Sequence, residues 1–236
     1  MIPRQLATPL VLLAIAGFMV FSNASAIEIL DDFEDGDLTD DSPISWTTVD
    51  AYVEDGDLVL GGTGTSIKRA HAIVEDSHGW SIRARARLES DAFFGLMADA
   101  DAGPSGYSNG WSMTNSGGTL WLGAVFEVFA EVSTGLRPTQ HDVMLQLDTF
   151  DDQFKAWAWA PGEPRPVEPM VQYEIVLSTD STPTLWIRDP NGHPTEARFR
   201  WAQFSSERSI PEPKTAALGV CAVFGAFTMR RATKRG

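Results

Sequence analysis

From Trp80 to Glu89 the chain reads Trp-Ser-Ile-Arg-Ala-Arg-Ala-Arg-Leu-Glu, apolar and polar residues alternating over ten positions. Successive side chains of a β-strand point to opposite faces of its sheet. This period therefore assigns Trp80, Ile82, Ala84, Ala86 and Leu88 to one face and Arg83, Arg85 and Arg87 to the other. A strand divided in this way needs a core against one face and water or countercharge against the other. Acids are in excess, 32 Asp and Glu against 18 Lys and Arg, so the arginines are expected to form a solvated face with carboxylate partners. A specific anion site is the rival reading.

The same signal recurs along the chain, and helix signals do not. Strands are expected at Tyr52-Val53, Leu58–Leu60, Ser66–Val74, Phe93–Met97, Thr119–Val132, Val143–Leu147, Phe154–Trp159, Tyr173–Leu177, Leu185–Arg188 and Ala197–Phe204. Turn residues separate them: Asp55-Gly56, Ser116-Gly117-Gly118 and Asp189-Pro190-Asn191-Gly192. Pro161 to Pro169 carries four prolines in nine residues and reads as a rigid extended loop. No repeat and no heptad pattern is present. So many short strands in one unit predict an all-β fold of two packed antiparallel sheets.

Both ends read as addresses. Residues 1–26 have the parts of a signal peptide: Arg4, a 12-residue uncharged apolar stretch from Leu10 to Phe21, and small Ala24 and Ala26 flanking Ser25 for signal peptidase. The stretch is shorter than the roughly 20 residues of a membrane span. The expected products are a mature chain beginning near Ile27 and a β-domain over residues 27–209. The tail, 210–236, holds Pro211-Glu212-Pro213, an uncharged apolar run over 215–229, and a basic end over 230–235 with Arg230 and Arg231. Such a run makes a short membrane helix whose basic end stays cytoplasmic. In order and spacing this tail resembles the PEP-CTERM sorting signal. The resemblance implies an exosortase as partner, a transient inner-membrane anchor, and delivery to the cell surface or extracellular matrix of a Gram-negative bacterium. An ordinary single-span anchor is the alternative, and it too places the domain outside the cytoplasm.

Composition then excludes several function classes. With the six basic residues and Glu212 of the two end segments set aside, 12 basic residues remain against 31 acids. Such a balance opposes nucleic acid as a partner, since phosphates need a basic footprint. Cys221, the single cysteine, lies in the tail, so the domain has neither disulfides nor a cysteine-rich zinc site. Four scattered histidines without an HExxH motif argue against a histidine-held metal enzyme.

The opening Ile29-Leu30-Asp31-Asp32-Phe33-Glu34-Asp35-Gly36, Trp46, the hairpin Tyr52 to Leu60, and Lys155 to Pro164 followed by Tyr173-Glu174-Ile175 resemble concanavalin A-like jelly rolls. That family spans laminin-G-like modules, lectins and glucanases, so the resemblance implies the fold and not an activity. Within it, Glu127-Val128-Phe129-Ala130-Glu131 is similar to the catalytic strand of family 16 glucanases, with Phe129 at the place of the central Asp. A retaining glycosidase needs carboxyl groups about 5 to 5.5 Å apart. Residues four apart on a regular strand share a face but lie roughly 13 Å apart, so a bulge would be required. Two solvated glutamates are the plainer reading of Glu127 and Glu131.

For sugar binding the candidates are Trp157 and Trp159, which alternation puts on one face, then Trp111 and Trp121. One structural calcium is a further candidate, on Asp99 and Asp101 or in the acid-rich stretch Asp31 to Asp41, although neither completes a calcium loop. The expected function is that of a non-enzymatic exported protein associated with extracellular polysaccharide. A diverged family 16 hydrolase and a purely structural matrix protein are the alternatives.

Overall fold

A computed structural model describes residues 28–40, 43–73, 79–99, 111–115, 118–124, 127–150, 153–174 and 182–206. Every element among them is a β-strand and every strand pairing is antiparallel. The larger, eight-stranded sheet contains β1 (Glu28–Asp31), β3 (Ala51–Glu54), β4 (Asp57–Gly62), β6 (Ser81–Leu88), β11 (Val143–Phe150), β12 (Gln153–Trp159), β13 (Val171–Glu174) and β15 (Thr195–Ser205). Its order is β13-β12-β11-β6-β15-β4-β3, and β1 pairs with the second half of β15. The smaller sheet contains β2 (Trp46–Val49), β5 (Lys68–Ala72), β7 (Phe93–Asp99), β8 (Trp111–Asn115), β9 (Thr119–Ala124), β10 (Glu127–Ser133) and β14 (Thr182–Arg188). Its order is β10-β9-β8-β7-β14-β5-β2.

Alternation places the core. Ile82, Ala84, Ala86 and Leu88 of β6 are fully buried, as are Leu145 and Leu147 of β11, Ala197, Phe199 and Ala202 of β15, and Phe94, Leu96, Leu185 and Ile187 of the smaller sheet. All belong to one apolar cluster between the sheets. The other face of β6 finds its countercharge. Arg85 pairs with Asp142 at 2.7 Å, and Arg87 Nε approaches Glu89 Oε1 at 3.2 Å. On β15, Arg198 is held by Glu54 at 2.6 Å and Glu196 at 2.8 Å, and Glu54 above all raises its pKa. A bulge between Phe199 and Trp201 inserts Arg200, whose Nη1 lies 2.6 Å from Asp57 Oδ2.

The turn residues act where the sequence predicts. Asp55 and Gly56, with φ of 54° and 77°, close the β3–β4 hairpin, a left-handed pair that suits a two-residue loop. Gly118, just before β9, has φ +78°, and a Cβ there would stand 1.9 Å from the Leu136 carbonyl oxygen. The expected strand Thr119–Val132 is instead two strands, β9 and β10, folded on each other so that Glu127 faces Ala124. At ~3.3 Å per residue a single strand of that length would outrun the other strands of the smaller sheet, which are four to seven residues long, and folding back lets both halves pair. The short strands β1, β2 and β8 escape the alternation signal because each is only four or five residues long.

Asp31 fastens the start of the domain. Its Oδ2 accepts from Trp46 Nε1 at 2.7 Å and its Oδ1 from the Phe33 amide at 2.9 Å, which holds Phe33 at φ 57°. Trp46 in turn packs on Phe33 and Phe204, with centroid distances of 5.8 and 5.5 Å. Phe199→Ala, in the centre of the core, is expected to cost about 3–5 kcal/mol. Arg87→Ala, which removes a half-exposed ion pair, is expected to cost less than ~1 kcal/mol. Urea unfolding of the two variants measures both, and equal costs would contradict the division of β6 into a core face and a surface face.

Candidate functional site

The two leading tryptophans share a face, as alternation requires, and it is the outward face of the larger sheet. Phe154, Ala156 and Ala158 take the core side of β12. Yet the indoles are covered, with Trp157 only 4% and Trp159 only 7% exposed. The Arg165 guanidinium, from the proline-rich loop, lies 4.7 Å from the centre of the Trp157 ring, and that of Arg83 lies 5.7 Å from Trp159. Beside them is a buried polar chain. Gln146 Nε2 donates to Asp148 Oδ1 at 2.7 Å, Ser81 Oγ donates to the same oxygen at 2.6 Å, and Arg83 Nε donates to Gln146 Oε1 at 3.1 Å. Cation–π contact occupies the ring faces that a sugar would use. Both sugar-binding candidates of β12 are therefore covered side chains.

The carboxylate pair also separates. β10 carries the bulge that a dyad would need, between Val128 and Ala130, but the inserted residue changes the strand's phase. Glu127 is in register with Ala124 and Glu131 with Trp121, so the two stand at opposite phases of the ladder. Phe129, at the place of the absent Asp, leaves the sheet and stacks on Tyr173 of β13, with centroids 4.4 Å apart and planes at 16°. The residue that departs from the catalytic pattern thus clasps the edges of the two sheets together.

Of the calcium candidates, Asp99 closes β7 in register with Thr182, and Asp101 lies outside the described residues. In the acid-rich opening, the carboxylates of Asp31, Asp32, Asp35 and Asp37 each accept from the backbone amide two residues ahead. One oxygen of each carboxylate is thus engaged in a local turn. Among the described residues no group of three or more His, Cys, Asp or Glu is placed to hold a metal.

Another arrangement emerges on the outward face of the smaller sheet. One rung of the ladder crosses all seven strands through Val49, Arg69, Trp186, Gly95, Met113, Trp121 and Glu131. The next runs through Thr47, His71, Thr184, Met97, Trp111, Gly123 and Val128. On the other side, Arg188 is in register with Phe93 and Phe93 with Asn115. Trp186 and Met97 are fully buried, although they lie outside the core between the sheets, and Ile67, Phe93 and Trp121 pack against them. Phe93 and Trp121, both half-buried, meet edge to face at 5.7 Å from either side of β8. The face thus has an aromatic floor, a half-open aromatic pair above it, and the exposed Glu131 at one margin.

Trp121 is the one sequence candidate whose described side chain belongs to this arrangement, and Trp111 enters it by register. Phe93, Trp186 and Arg188 carried no mark in the sequence beyond the alternation of Leu185-Trp186-Ile187-Arg188, which does not tell which parity faces outward. The sorting-signal residues Ala24, Ala26, Pro211, Glu212, Pro213, Arg230 and Arg231 lie outside the described residues, and no helix among those described is long and apolar enough to cross a membrane.

The fold is that of the concanavalin A-like lectins and glycoside hydrolases. A xylan β-1,4-xylosidase from Bacillus halodurans superposes with a TM-score of 0.58 at 15% identity, over 75% of this chain and 38% of that one, so the chain spans well under half of the enzyme's length. Lectin I-B4 from Griffonia simplicifolia superposes with a TM-score of 0.56 at 9% identity, over 76% and 98%. A Bacillus licheniformis β-glucanase gives 0.51 at 8% identity, over 77% and 98%. No protein-family model matches the chain, and neither does any curated protein.

His71 gives this face a pH signature. Burial, aided by the Arg69 charge, pulls its pKa from the usual 6.5 down to about 4, and Nδ1 lies 2.8 Å from Thr184 Oγ1. Between these values the unfolded chain binds the proton and the folded one does not. This contribution to stability is therefore present above pH 6.5 and is lost as pH falls toward 4, by about 3 kcal/mol at most. Asp31, whose pKa burial raises, acts in the opposite sense. Denaturation across that window should show a shallower dependence on pH in His71→Gln than in the parent protein, and parallel curves would contradict the neutral, buried imidazole.

Proposed function

We propose that the chain is an exported, non-enzymatic polysaccharide-associated protein that binds its glycan across the outward face of the smaller sheet. The observation that carries this reading is the half-open Phe93–Trp121 pair on a buried Trp186 floor. Aromatic rings present the flat apolar surface on which the C–H face of a pyranose rests, and Phe93 and Trp121 are only half-buried. The lectin-like fold supports it, and the out-of-phase Glu127 and Glu131 speak against the hydrolase alternative.

The sequence features of both ends complete the proposal. Signal peptidase would release the mature chain near Ile27. An exosortase-type machinery would act at the Pro211-Glu212-Pro213 tail after a transient stay in the inner membrane, delivering the domain to the surface or matrix.

Retention of the full chain on insoluble polysaccharides, with and without calcium, tests the binding. Trp121→Ala is expected to lower retention roughly 3- to 10-fold, while Trp157→Phe, at a covered site, leaves it unchanged. No retention above a control protein would refute the reading. Reducing-sugar release from a β-glucan panel that disappears in Glu131→Gln would restore the hydrolase.

A further inference from the structure

Four arginines on the outward face of the larger sheet, Arg85, Arg87, Arg198 and Arg200, have carboxylate partners within 3.2 Å. Such pairing is the default in a chain with 32 acids. Arg188 differs. Its Nε donates to the Thr65 carbonyl at 3.1 Å, and among the described residues no carboxylate pairs with it. It is half-buried and stands in register with Phe93, one member of the aromatic pair.

The three rungs around that pair hold a second guanidinium, Arg69, and a single acid, Glu131, on the far edge strand. The Arg69 charge is felt locally, since it helps keep His71 neutral. These three rungs thus hold more guanidinium groups than carboxylates, against the balance of the chain as a whole, and Asp99 follows one rung farther on. Across the strands the order is Arg188, Phe93, Trp121, Glu131, over four strand spacings of ~4.8 Å, or about 19 Å.

Resting on the glycan-binding reading above, we propose that the ligand is an acidic polysaccharide, with a sugar carboxylate seated on Arg188 and the neighbouring rings on Phe93 and Trp121. A guanidinium already fixed through Nε offers its terminal nitrogens in the planar fork that a carboxylate fits. The acids that the register places on this face are Glu131, four strands from Arg188, and Asp99, six residues along β7 from Phe93. At about 0.15 M salt the screening length is about 8 Å, so their repulsion fades beyond the site while the contact pair persists.

The test compares binding of the full chain to polygalacturonate and to a neutral β-glucan at that salt concentration. Tighter binding of the polyuronate is expected. Arg188→Gln should weaken it roughly 10-fold or more and leave the neutral polymer unaffected, and Arg188→Lys should restore part of the loss. Equal affinity of the parent protein for both polymers overturns the inference, whatever the variants do. So does a preference that survives Arg188→Gln with an unchanged circular dichroism spectrum. Binding of the neutral polymer alone removes this inference and leaves the glycan-binding reading standing; binding of neither removes both.

Discussion

β6 divides the molecule. It is flanked by β11 on one side and β15 on the other, and it must bury Ile82, Ala84, Ala86 and Leu88 while keeping Arg83, Arg85 and Arg87 away from the core. Shifting its register by one residue would drive three guanidinium groups between the sheets, a cost far above the few kcal/mol by which a domain is stable. The pairing of the larger sheet is therefore fixed at its centre. The small side chains of Ala84, Ala86, Ala156, Ala158, Ala197 and Ala202 leave room for Phe94 and Phe199, whose rings meet at 6.4 Å.

The two outward faces are finished in different ways. On the larger sheet the charged and aromatic groups satisfy one another, through carboxylates on the arginines, guanidinium groups over Trp157 and Trp159, and a hydrogen-bonded chain through Gln146 and Asp148. On the smaller sheet, apolar and aromatic side chains cluster away from the core with few charges among them. Gly95, which has no side chain, faces the buried Trp186 directly across the β7–β14 ladder. A surface that has spent its polar groups internally has little to offer a ligand.

The layout was largely legible because period-two alternation is strong in β6 and β15, and because Asp55-Gly56 and the Pro161–Pro169 loop are unambiguous punctuation. The β9–β10 turn was not. Residues 120–126 form an apolar run broken only by Gly123, and no pair of turn residues there announces a reversal. The site was read less well for a different reason. Alternation tells which residues share a face, and it did so for Trp157 and Trp159, but coverage depends on what arrives from elsewhere in the chain. Arg165 reaches Trp157 from a loop whose prolines predict rigidity and not position. The bulge at Phe129 is likewise invisible locally, since it is Tyr173 on the opposite sheet that receives the ring. Arg188 is an ordinary strand residue until the sheet order sets it beside Phe93.

The antiparallel pairing of Glu28 with Ser205 sets the first and last strand residues of the domain side by side. A tether at either terminus would therefore hold the domain from nearly the same point, and cutting one while keeping the other would not turn it over. Tension between the two ends would open the β1–β15 ladder rung by rung, as a zipper opens, with no need to shear it along its length. A load carried through one end alone spares that seam.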